Sequence, residues 1–157
     1  MPTRTTTHLA ERIGACADKG AEIHLWRLPH RPESAGAARR VAHAALQHWG
    51  VKVEAIERVL LVVSELVTNA VEHAVPPIAL RLEQPVGDKV HVEVTDGGPS
   101  RTKGAWIASC DKDEHGRGGT IIDFLSTAHG SHSGACGAMY WADLAVAADR
   151  GVQSCPR

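Results

Sequence analysis

The stretch SELVTNAVEHA, Ser64 to Ala74, decides how the chain is to be read, because it breaks an apolar run with Glu65, Asn69, Glu72 and His73. With Glu65 set to zero on a helical wheel at about 100° per residue, Asn69, Glu72 and His73 fall at about 40°, about −20° and about 80°. Val63, Val67, Ala70, Val71 and Ala74 gather on the far side, so the polar residues share one face. A solvated helix face has this pattern, and a half-buried, hydrogen-bonded His73 near the helix end fits it as well. A site also has it. Glu65 and Asn69 stand one turn apart and look at the same small volume, a carboxylate able to accept a proton beside a neutral amide oxygen suited to a hard divalent cation such as Mg²⁺. Together they can handle the phosphates of a nucleotide.

The helix carrying this stretch is expected from Glu54 to about Ala74, where the Pro76-Pro77 pair cannot continue it. Upstream, Ala37, Val41, Ala45, Leu46 and Trp49 recur at helical spacing, which predicts a helix from about Glu33 to Trp49 stopped by Gly50. Its outer face is Arg39, Arg40, His43 and Gln47. Before it, AEIHLWRLP alternates as a first strand ended by Pro29. Residues 1–20 contain few large apolar side chains and read as a mobile leader, with a short helix around Leu9 to Ala17 as the lesser alternative.

Downstream, IALRLEQ and KVHVEVTD flank Pro85-Val86-Gly87-Asp88 and predict a β-hairpin that ends at Asp96-Gly97-Gly98-Pro99. Residues 99 to 119 are too long and too polar for a simple connection and form a candidate functional loop. TIIDFLSTA is expected to be a helix, HGSHSGACG a loop and AMYWADLAV a final strand. This order predicts a two-layer α+β sandwich, with helices on one face of a mixed, mostly antiparallel sheet. A parallel dinucleotide-binding sheet would need more strand-helix alternation.

At 157 residues and 43% apolar content the chain can bury one sizeable core and is not an intrinsically disordered protein. Seventeen Lys+Arg against eighteen Asp+Glu give a formal charge of −1, which argues against a nucleic-acid or anionic-membrane footprint. No signal sequence opens the chain and no run approaches the roughly 20 apolar residues of a membrane helix, so a cytoplasmic protein is expected. Cys16, Cys110, Cys136 and Cys155 lack any CxxC spacing and read as reduced thiols. His129, His132 and Cys136 form an HxxHxxxC, but zinc would need a fourth ligand and a firmer scaffold than a segment holding Gly130, Gly134 and Gly137. Trp26, Trp49, Trp106 and Trp141 read as packing residues rather than a base-stacking surface.

Two further clusters bear on chemistry. Asp96-Gly97-Gly98 is either a common turn or a strand-end carboxylate that accepts a hydrogen bond from an exocyclic amine, with glycines admitting a flat ring. Gly116-Arg117-Gly118-Gly119-Thr120 precedes a predicted helix, where free N–H groups favour phosphate, although no Gly-Lys-Ser/Thr completes a Walker loop.

Taken in order, ELVTNAVEHA, DGG and GRGGTI resemble the N, G1 and G2 boxes of the ATPase superfamily shared by gyrase, histidine kinases and mismatch-repair proteins (GHKL, the Bergerat fold). Within it, the length and the flanking LPHRPESAGAARRVAHAALQHWG and AMYWADLAV are similar to the stand-alone anti-sigma-factor serine kinases. The resemblance implies an ATP-binding domain over residues 21–147, between a leader at 1–20 and a tail at 148–157. It implies Glu65 as general base, Asn69 as Mg²⁺ ligand, Asp96 as reader of the adenine amine and Gly98 behind the ring. Gly116, Arg117, Gly118, Gly119 and Thr120 would hold the phosphates under a lid at residues 100 to 118, and His73 would stand behind the contacting residues.

The chain departs from relatives at Gly119, where a larger apolar residue is usual, and at Met139, which falls where many relatives carry an adenine-binding threonine. The implied function is ATP-dependent phosphorylation of a serine on an anti-anti-sigma partner by a homodimeric protein that sequesters a sigma factor, with no direct contact to nucleic acid or membrane. The alternative is a module that sequesters a protein with weak or no nucleotide binding. A detached histidine-kinase catalytic domain would need a helix pair upstream, for which residues 1–20 are too short.

Overall fold

The structure, a computed structural model, describes residues 9–18, 21–86, 88–99 and 116–146. Helix α1 (Ser34–His48) is rich in alanine, the strongest helix former, and buries Ala37, Ala38, Ala42, Ala45 and Leu46 along one side. The Ser34 hydroxyl donates to the Pro29 carbonyl and so closes the chain's entry into the helix. At the other end Gly50 takes a positive φ of 74°, and the Val51 N–H returns to the Leu46 carbonyl. This is the left-handed glycine stop that the sequence predicts. Helix α2 (Val53–His73) buries Ile56, Val59, Val62, Val63, Leu66, Val67 and Ala70 as a continuous stripe.

Six strands form one sheet: β1 (Glu11–Asp18), β2 (Ala21–Leu28), β3 (Ile78–Val86), β4 (Lys89–Asp96), β5 (Ala128–Gly134) and β6 (Gly137–Ala145). Their spatial order is β1-β2-β3-β4-β6-β5, and every described pairing is antiparallel. A third helix, α3 (Gly116–Leu125), precedes β5 and packs against α2. Along β4 the side chains of Val90, Val92, Val94 and Asp96 alternate into the interior. The three valines meet Leu80, Leu82, Ala142 and Leu144 under the helices in a single apolar core. The expected two-layer sandwich with helices on one face is therefore the observed architecture. Fully burying each such aliphatic side chain stabilises the fold by about 1.5–3 kcal/mol.

Two expectations fail. Residues 11–18, expected inside a mobile leader or as a short helix, form edge strand β1, paired with β2 from Glu11↔Arg27 to Asp18↔Ala21. A register shift between Arg12 and Gly14 breaks the period-2 pattern by which a strand is recognised. HGSHSGACG, expected to be a loop, supplies β5. Its small, polar residues are mostly exposed on both faces, so no alternation marks it. Such residues suit an edge strand that must not recruit another.

The sheet face opposite the helices is charged. Arg81 pairs with Glu83 at 2.8 Å and with Glu93 at 3.0 Å. His91 donates from Nε2 to Glu93 and from Nδ1 to Asp143, and its ring stacks on Trp141. Held between two carboxylates, His91 is raised from 6.5 to about 9. No helix among the described residues is long and apolar enough to cross a membrane.

Candidate functional site

Because β6 inserts beside β4, Ala138 lies directly across from Asp96. Asp96 is only 6% exposed and is, with Ser34, one of two buried polar side chains among the described residues. The Gly98 N–H donates to its Oδ1 at 2.7 Å, and the Ala138 backbone N–H also donates to the carboxylate. Burial raises its pKa, and those two donors oppose the rise.

Around this carboxylate side chains are sterically excluded. A Cβ on Gly97 would stand 2.3 Å from the Pro76 carbonyl oxygen, and one on Gly137 would stand 2.1 Å from that of Asp96. Gly98 and Gly137 also hold positive φ values of 103° and 141°, which glycine alone adopts without strain. At Gly97 and Gly137 neighbouring backbone fills the place of a side chain, whereas at Gly98 the nearest atom to a Cβ would be the Gly137 Cα at 3.7 Å, so the side of the turn that a flat ring could approach is that of Gly98.

The end of α2 is fastened to this turn. The Val75 N–H donates to the Gly98 carbonyl at 2.8 Å and the Gly97 N–H to the Val75 carbonyl at 2.7 Å. Ala74 bridges to Pro99, and His30 Nε2 donates to the Ala74 carbonyl at 2.7 Å. From that anchor Asn69 lies about 7.5 Å back along the helix axis and Glu65 about 13.5 Å back, at 1.5 Å per residue. Both are half-buried. Asn69 and then Glu65 thus follow one another along α2 with increasing distance from its anchored end. Arg39 Nη1 donates to Ser64 Oγ at 2.8 Å and ties α1 to α2 next to Glu65. Glu72 is exposed, and His73 is half-buried with Nε2 3.7 Å from Glu72.

The glycine cluster does not precede α3 but forms its first turn, from Gly116 through Arg117, Gly118 and Gly119 to Thr120. That places the free N–H groups of a helix start among these glycines. Most of the lid expected at residues 100 to 118 lies outside the described residues, as does Trp106.

The register corrects the reading of Met139. Directly opposed residues of an antiparallel pair share a face, and Met139 opposes Thr95 while Ala138 opposes Asp96. Met139 therefore points to the other side of the sheet, and Ala138 is the residue facing the Asp96 side. Neither carries a hydroxyl. Tyr140, 38% exposed, stands on the Asp96 side opposite Val94. Gly97 was read with Gly98 as part of the turn, whereas Gly137, Ala138 and Tyr140 escaped the sequence reading. The only available signal was a glycine directly before the last strand.

The histidine-cysteine motif does not converge. His129 opposes Ala142 and His132 opposes Met139, so the two rings lie on opposite faces of β5, and Cys136 is an exposed free thiol in the following turn. His129 instead pairs with Asp123 at 2.8 Å. On the outer sheet face, Glu83, His91 and Glu93 bring ligand-type atoms within 4.8 Å of one another. That space is already served by two cations, the Arg81 guanidinium and a His91 that donates from both ring nitrogens.

The family profile described as "Histidine kinase-like ATPase domain" matches residues 28–139. That span runs from the end of β2 through α2, Asp96 and the α3 glycines into β6. No curated protein matches the chain. Among solved structures, the histidine kinase domain of the blue-light activated histidine kinase from Erythrobacter litoralis EL346 is similar at 20% identity, over 92% of this chain and 70% of that one, with a TM-score of 0.49. With the profile covering most of its length, the chain belongs to the histidine kinase-like ATPase domain family.

Proposed function

We propose that this GHKL-type ATPase domain is a regulatory, ATP-dependent protein serine kinase of the anti-sigma-factor type. The observation that carries the nucleotide part is the buried Asp96 carboxylate, set among Gly97, Gly98 and Gly137 and fastened to the end of α2. These residues fit an adenine nucleotide, because a buried acceptor is matched with a Gly98 that has no side chain to obstruct a ring, held in place by close backbone packing at Gly97 and Gly137. Bound ATP with Mg²⁺ supplies the transferable phosphoryl group and the charge that neutralises it.

The chain's own residues then divide the work. Asp96 accepts from the exocyclic amine, and Gly98 lies behind the base. Asn69 offers its amide oxygen to Mg²⁺, and Glu65, one turn further from Asp96, takes the proton from the acceptor serine hydroxyl. Gly116, Arg117, Gly118, Gly119 and Thr120 at the start of α3 hold the phosphates with backbone N–H groups, and Gly119 gives that turn freedom. Catalysis of this kind is mostly positioning and charge stabilisation. The partners in this reading are an anti-anti-sigma protein that carries the serine and a sigma factor that is sequestered, with the kinase as a homodimer in the cytoplasm.

A second reading is favoured by one observation, the lack of a hydroxyl at Ala138, the residue directly across from Asp96. It makes the protein a sequestering module that binds nucleotide weakly or not at all. Calorimetry with ATP and Mg²⁺ on the native chain and on Asn69→Ala separates the two, followed by incubation with labelled ATP and candidate acceptor proteins. Mg²⁺-dependent binding that Asn69→Ala weakens, with transfer that Glu65→Gln abolishes, supports the kinase. No Mg²⁺-dependent binding in the native chain removes it, and binding without Glu65-dependent transfer supports the module.

A further inference from the structure

We propose that a cationic groove at the start of β1 is a docking site for an acidic segment of a partner protein that presents one apolar side chain. The groove encloses about 500 Å³ and has a floor of Leu28, Pro29, Pro76 and Pro77. Among the described residues its rim carries two guanidinium groups, Arg27 and Arg31, against one carboxylate, Glu11, with His30 beside them.

The balance of charge selects the occupant. Arg27 and Glu11 approach only to 3.8 Å, with side chains 60% and 68% exposed, so their pairing is weak and leaves the guanidinium available. Arg31 is exposed as well. His30 is committed to the Ala74 carbonyl through Nε2, so the two guanidinium groups carry the charge of the rim. A local excess of positive charge stands out on a chain whose formal net charge is −1. Complementary charge steers an acidic segment there, and the apolar floor gives one of its side chains a place to be desolvated. The groove shares no residue with the Asp96, Asn69 and Glu65 line, and its chemistry does not depend on the kinase reading.

One wall of the groove is also the back of the Asp96 turn. His30 holds the Ala74 carbonyl, and the Pro76 oxygen occupies the space that a Gly97 side chain would need. An occupant pressing on His30 and Pro76 is therefore sensed at Gly97.

The test is a titration of the full ¹⁵N-labelled chain with the fluorescein-labelled peptide DELDE and with KKLKK as control, followed by anisotropy and amide shifts. The expected result is saturable binding of DELDE alone, with shifts at Arg31 and Gly97. Binding weakens about tenfold or more in the Arg27→Glu, Arg31→Glu double variant and tightens about threefold or more in Glu11→Arg. The gain in Glu11→Arg cannot be produced by misfolding. Equal binding of KKLKK, no saturable binding of DELDE, charge variants that leave the affinity unchanged, or shifts confined to other surfaces would each overturn the proposal.

Discussion

Asp96→Asn distinguishes a nucleotide-reading carboxylate from an ordinary turn residue. The substitution keeps the side chain's shape and one acceptor oxygen for the Gly98 N–H, which lies at 2.7 Å. It removes the charge and turns the second oxygen into a donor. If Asp96 accepts from an adenine amine, a hydrogen bond to a charged group is lost, which is worth about 1.5–3 kcal/mol. That corresponds to ATP affinity lower by about 10- to 150-fold. Stability moves differently. Burial raises the pKa of this carboxyl, so its charged form is disfavoured in the fold, and a neutral isostere is relieved of that penalty. The relief is set against weakened bonds from both the Gly98 and the Ala138 N–H groups, and unfolding free energy is expected to fall by no more than about 2 kcal/mol. Affinity is read by competition against a fluorescent ATP analogue and stability by urea unfolding. Unchanged ATP affinity together with a large loss of stability would show that Asp96 serves only the turn, and would refute the assignment.

Gly137→Ala places a Cβ 2.1 Å from the Asp96 carbonyl oxygen at a φ of 141°, and is expected to cost about 2–4 kcal/mol in chemical denaturation and to lower ATP affinity with it. Leu46→Ala, at a fully buried position under α1, is expected to cost about 2–5 kcal/mol, seen as a lower urea midpoint at unchanged slope. The outer-face network predicts a pH profile. His91 is raised from 6.5 to about 9, so its contribution is complete below pH 6.5 and is lost as pH rises through about 9. Glu93 is lowered from 4.5 by the same hydrogen bond, so its share is complete above pH 4.5 and is lost as pH falls below it. Both report one interaction and are counted once, at no more than about 3 kcal/mol. Melting temperature against pH is expected to fall through the alkaline limb in the native chain and to be flatter there in His91→Phe.

The helices were legible because each buries one side only, so that Ala37, Ala45 and Leu46, or Val59, Val63 and Val67, repeat at a period that needs no tertiary knowledge. The β3-β4 hairpin was legible for the same reason at period 2. Strand β1 was hidden by the bulge at Arg12 and Gly14, and β5 by two wet faces, where selection for alternation is absent. Glu65, Asn69 and Asp96 were singled out by residue type and by resemblance. Assigning the hydroxyl gap to Met139 instead of Ala138 was an error of one position, and in a strand one position is the difference between the two faces of the sheet. His30 and Ala74 are 44 residues apart, and nothing local announces their bond.

The bridge between Ala74 and Pro99 has a bearing on how such a domain can diversify. It staples the chain just after Asp96, before the stretch from 100 to 115 begins. Lengthening, shortening or exchanging that stretch then acts beyond a fixed point, and the Asp96 turn does not register it. Evolution, or an engineer, is free to exchange that stretch while keeping the turn around Asp96 as it is, much as a tool takes a new head on an unaltered handle.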